Sequence, residues 1–117
     1  MISTANVIGK WKNSRPDTQG IESFELRADN GSLKLSVYGV SGGFMTDNLT
    51  DLECTAHATS PESNTFSGFQ AQGTENGKEY FFAGNINKGL IIIATYIKVL
   101  SGNESNYFVR EFFYKLK

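Results

Sequence analysis

A chain of 117 residues with a net charge of −1 has room for one domain around a single modest core. Its eleven basic and twelve acidic residues form no basic stripe, which argues against nucleic acid as a main partner. Cys54 is the one cysteine and has no internal disulfide partner, while nine Phe, five Tyr and one Trp supply ample core material. Eight strands are predicted. The first, Val7–Asn13, carries Trp11. The second, Gly20–Ala28, sets Phe24, Leu26 and Ala28 against Glu25 and Arg27. The third, Ser32–Gly39, alternates Leu33, Leu35 and Val37 with Lys34, Ser36 and Tyr38. The fourth, Leu52–Ala58, alternates Leu52, Cys54, Ala56 and Ala58 with Glu53, Thr55 and His57. This period of two describes antiparallel strands with one face in water.

The second half changes character. Thr65–Gln72, Lys78–Ile86, Leu90–Val99 and Asn106–Leu116 are apolar or aromatic on both faces. Phe81 and Phe82 point opposite ways, as do Ile91 and Ile92, and Phe112 and Phe113. A strand greasy on both sides is covered on both sides. In a single-layer barrel the simplest cover is a second copy, a homodimer through these later strands; neighbouring loops and long Lys stems are the other source. A helix over Leu90–Leu100 fits poorly, because the segment is β-branched and bounded by Gly89 and Gly102.

The connections set the topology. Asn30-Gly31 and Asn76-Gly77 are hairpin turns that tolerate positive φ, and Asn87-Lys88-Gly89 is a third candidate. Turns this tight join strands that lie side by side. The expected fold is therefore all-β, a single domain over 1–117: an eight-stranded, mostly up-and-down antiparallel barrel. Ser14–Gln19, Val40–Asp51 and Thr59–Asn64 are the longer connections. Val40–Asp51 holds Phe44, Met45 and Leu49, and loops of that length are often functional. Two placements are open for it: a lid over the barrel mouth, or a surface loop tucking its apolar residues outside. Arg15 in the first loop either meets an anionic ligand group or belongs to an Arg15-Pro16-Asp17 turn held by the Asp side chain.

Chemistry-bearing residues are sparse. His57 and Cys54 are three apart on a strand and so face opposite ways, which rules out a shared metal. No metal site and no cofactor is expected. Glu111 lies beside Arg110 among Phe108, Phe112 and Phe113, and alternation puts only one of the two charges inside. A carboxylate in an apolar cup is a potential acid or base; the alternative is a surface carboxylate paired with Lys. "MISTANVIGKWK" lacks a basic-then-apolar leader, and Leu90–Ile97 is too short to span a bilayer, so a cytoplasmic protein without a membrane span is expected.

Gly9-Lys10-Trp11 resembles the Gly-x-Trp opener of the calycin superfamily, which includes lipocalins, fatty-acid-binding proteins and avidin-like barrels. With "NYFVREFFYK" at the last strand, the chain looks most like small bacterial lipocalin-like domains. The resemblance implies that Trp11 closes the barrel base and that Arg110 packs across it. It also departs from the larger lipocalins: there is no disulfide pair, no C-terminal helix and no helical lid after the first strand.

Barrel and resemblance together give the expected function, non-covalent binding of a small, largely apolar molecule in the barrel interior. The expected wall is Phe24, Leu26, Leu35, Val37, Phe66, Phe82 and Phe112, with Arg15, Phe44 and Met45 at the mouth. Two alternatives compete. A cofactor-independent cyclase or isomerase would place a polar pair deep in the cup, such as Glu111 with a tyrosine. An oligomeric interaction protein would fill the core with its own aromatic rings.

Overall fold

A computed structural model describes residues 2–117. It has eight strands: β1 Gly9–Asn13, β2 Ile21–Asp29, β3 Ser32–Gly39, β4 Asn48–Ala58, β5 Phe66–Glu75, β6 Lys78–Asn87, β7 Leu90–Val99 and β8 Tyr107–Lys115. Each pairs antiparallel with the next, and β1 pairs with β8 to close the barrel. The up-and-down order follows from the turns. Asn30-Gly31, Asn76-Gly77 and Lys88-Gly89 each place two consecutive residues at positive φ, the signature of a type I′ hairpin whose twist matches its strands. In the third turn Lys88, at φ 53°, takes the place that asparagine fills in the other two, and Asn87 ends the strand. Among the described residues no helix is long and apolar enough to cross a membrane.

The predicted strands correspond one for one to the observed ones, and β3 and β7 agree to the residue. The largest boundary change is β4, which begins at Asn48 where Leu52 was expected. A bulge hides the extra length. Asp51 adopts φ 56° and donates its backbone N–H to Ser36 Oγ, and the β3–β4 register shifts between Leu35 and Val37. Leu49 is consequently buried on the same inner face as Leu35 and Cys54, which breaks the period of two. The Val40–Asp51 loop shortens to residues 40–47. At the other extreme, Val7 and Ile8 precede β1 and are not part of it.

Aromatic and aliphatic side chains are packed inside the barrel from its base toward its mouth. Trp11 stacks on Phe24 with ring centroids 5.9 Å apart, and Phe24 meets Phe113 edge-on at 4.9 Å. Higher up, Tyr80 stacks on Phe82 at 6.0 Å. Gly84 is opposite Phe69 in the β5–β6 ladder, and the Phe69 ring occupies the space a Cβ would need, 2.3 Å from it. The base is closed by the segment before β1. Its Ser3 donates to Asn64 O at 2.9 Å beside β5, on the far side of the ring from β1, so the segment crosses the barrel end with Val7 buried beneath it.

Candidate interaction surface on the outer barrel face

Six of the seven expected wall residues are inside. Phe24, Leu26, Leu35, Val37, Phe66 and Phe82 are all buried and belong to one apolar cluster with Trp11 and Phe113. Phe112 is a correction. It is 40 % exposed on the outer face, while Phe113 takes the inward place. Trp11 lies at the closed base as expected, but Arg110 does not cross it. Arg110 is on the outside of β8, its guanidinium 5.4 Å from the Phe112 ring, and the Trp11 indole N–H donates to Val7 O at 2.9 Å. Both corrections have one cause: β8 keeps strict alternation, so Glu111 and Phe113 inside place Arg110 and Phe112 outside.

At the mouth the 40–47 loop is a fastened lid. Met45 is buried in the core, Phe44 N donates to Gln19 O at 2.9 Å, and Tyr107 Oη donates to Phe44 O at 2.7 Å. The Phe44 ring meets Tyr107 edge-on at 5.6 Å and keeps one side in water. Beneath the lid, buried Asp47 accepts from Tyr80 Oη at 2.7 Å and from Asn76 Nδ2. Burial and this carboxylate hold the Tyr80 phenol well above its usual range, so it remains neutral. Arg15 is exposed, 3.7 Å from Asp17, in a turn held by Asn13 Oδ1 accepting from Arg15 N and not by the Asp17 side chain.

Glu111 is the barrel's buried acid, and it is a fastener. Its carboxylate accepts from Asn13 Nδ2 at 2.8 Å, from Ile21 N at 3.1 Å and from Thr18 Oγ1. These bonds pin the first loop to β8 where the short β1–β8 ladder runs out. Gly20 makes the approach possible, since a Cβ there would be 2.5 Å from Glu111 Oε1. Arg15, Phe44, Arg110 and Phe112 surround the notch of about 380 Å³ outside this latch. Burial pushes the Cys54 thiol up to about 12, which leaves it a poor nucleophile near neutral pH. His57 faces out, against Gln70. Among the described residues no group of three or more His, Cys, Asp or Glu is placed to hold a metal ion.

A further concavity lies outside the barrel. A groove of about 820 Å³ runs over the outer face of β5–β8, with Phe81, Tyr96 and Phe108 along it and Glu79, Lys98 and Asn106 at its rim. The three rings are register partners on adjacent strands, with centroids 6.0 and 5.0 Å apart. Tyr96 and Phe108 are 51 % and 54 % exposed. Sequence reasoning found the two-sided strands without naming this row. Its signal was present as Phe81-Phe82, where one ring had to be outside. A scan against family models and searches of curated proteins and of solved structures found no match.

Proposed function

We propose that this protein is a non-enzymatic interaction module, a barrel filled by its own side chains that binds through the outer face of β5–β8. One observation carries the reading: Tyr96, Phe108, Phe112 and Tyr114, four of the five exposed large aromatics among the described residues, lie on the outward face of β7 and β8, where Tyr96 and Phe108 line a groove of about 820 Å³. A contiguous apolar patch with a polar rim is where binding removes surface from water, at roughly 25 cal/mol per Å² before the entropic costs of association. Internal binding of a small apolar molecule draws less support, because Trp11, Phe24, Phe82, Phe113 and Met45 occupy the lumen. Catalysis draws less still. Glu111 already accepts three hydrogen bonds, none of them from a tyrosine. Kinship with the calycins is supported by Gly9-Lys10-Trp11 and by the closed eight-strand order, and not by Arg110.

The test titrates methyl-labelled protein with N-phenyl-1-naphthylamine, an apolar probe, and follows the inward methyls of Leu35, Val37 and Ile93. They are expected to stay still. A saturable shift at those methyls would restore binding in the lumen and overturn the outer-face reading.

A further inference from the structure

We propose that the partner seated on this face is a second copy of the chain, packed face to face about a two-fold axis that crosses β6, β7 and β8 between Tyr96 and Ala94. The inference rests on the outer-face reading above and adds the identity of the occupant. Its basis is register. Phe81, Tyr96 and Phe108 form one outward row across the three strands, and Ala83, Ala94 and Arg110 form the next. A two-fold axis lying in the interface and running across the strands sets each strand over its own copy and reverses the order of rows. Phe81 then meets Ala83 of the second copy, Tyr96 meets Ala94, and Phe108 meets Arg110. In the first two pairs a large side chain rests on an alanine. Each Arg110, which has no carboxylate within ion-pair distance among the described residues, gains a second ring beneath its guanidinium.

The same reversal sets Ile92 opposite Lys98, whose stem can lie along it. Leu90 and Leu100, 37 % and 51 % exposed on one strand line, fall opposite each other. Phe112 falls opposite Asn106, which places its ring in the groove of the second copy. An axis parallel to the strands does worse. It keeps the rows in order, laying Tyr96 on Tyr96 and leaving a void where Ala94 faces Ala94. The area available in projection lies at the lower end of the range for specific interfaces, about 600 Å² from each partner. Four strands about 4.8 Å apart and ten residues long cover roughly 600 Å² in projection before side-chain relief. A stable interface takes about 800 Å² of accessible surface from each partner.

Sedimentation velocity and native mass spectrometry between about 1 and 200 μM test the proposal. The wild type is expected to be a dimer at the upper end. Tyr96→Lys and Ala94→Glu should each weaken it at least about tenfold while retaining the folded amide spectrum. Combining the two substitutions in one chain should restore it, because the new charges face each other twice across the axis. A wild type monomeric at 200 μM overturns the proposal, as does a dimer indifferent to both single substitutions or one the double variant fails to restore. The two readings fail separately. A monomer whose inward methyls ignore the apolar probe removes the second copy alone, whereas inward methyls that shift remove the outer-face reading itself.

Discussion

On β3 and β4 the outward side chains include Lys34, Ser36, Glu53 and Thr55; on β7 and β8 they include Ile92, Ala94, Tyr96, Phe108 and Phe112. Inward, the two halves are alike. Leu33, Leu35, Val37 and Cys54 in one and Ile91, Ile93, Ile97 and Phe113 in the other are all buried. Closing a barrel requires only the inner pattern, and the first half shows that a polar exterior satisfies the fold. The proposed interaction accounts for the apolar exterior of the second half, which barrel closure does not require. Exterior chemistry, more than interior chemistry, distinguishes the two.

If the interiors are equivalent, cutting into either should cost the same. Leu35→Ala in the first half should destabilise by about 2–5 kcal/mol and Phe82→Ala in the second by about 3–5 kcal/mol, read from urea unfolding. Both side chains are fully buried, and the surrounding rings have little freedom to collapse into the hole. A loss below about 1 kcal/mol at Phe82 would mean that the second half is loosely filled, and the lumen would again be a place for a ligand.

The inward face of the first half was readable before any coordinates, because period-2 alternation and type I′ turns are local properties of the chain. Leu33, Leu35 and Val37 face in as the pattern requires, and Asn30-Gly31 turns where it should. Three things were not local. Leu49 reaches the core only because the Asp51 bulge, bonded to Ser36 on another strand, resets the parity of β4. Phe112 and Phe113 are chemically identical, so which one faces inward depends on the β7–β8 register and on Glu111 finding Thr18, Asn13 and Ile21. Arg110 was placed by family likeness, and alternation overruled it once Glu111 was inside.

Glu111 is also where the two halves are joined, across the seam that β1 leaves when it ends at Asn13. Glu111→Gln keeps the size and gives up the charge. It also points an NH₂ group at neighbours that are themselves donors, Ile21 N and Asn13 Nδ2. The expected cost is about 1–3 kcal/mol, smaller than a core truncation, with faster hydrogen exchange at the Ile21 amide. A cost below about 0.5 kcal/mol would show that the β1–β8 ladder closes the barrel without the latch.

The smallest effect on monomer stability is the most informative for the comparison. Lys34→Ala removes an outward charge paired with Glu53 in the first half, and Tyr96→Ser removes an outward ring in the second. In dilute protein, near 1 μM, both should lie within about 0.5 kcal/mol of the wild type, since neither side chain helps to fill the barrel. Concentration separates them. Anything that binds the folded state stabilises it by mass action, so the unfolding midpoint of the wild type and of Lys34→Ala should rise with protein concentration. That of Tyr96→Ser should not. A Tyr96→Ser variant destabilised by several kcal/mol even in dilute protein would make the outer ring part of the fold, and the two exteriors would then differ in folding rather than in binding.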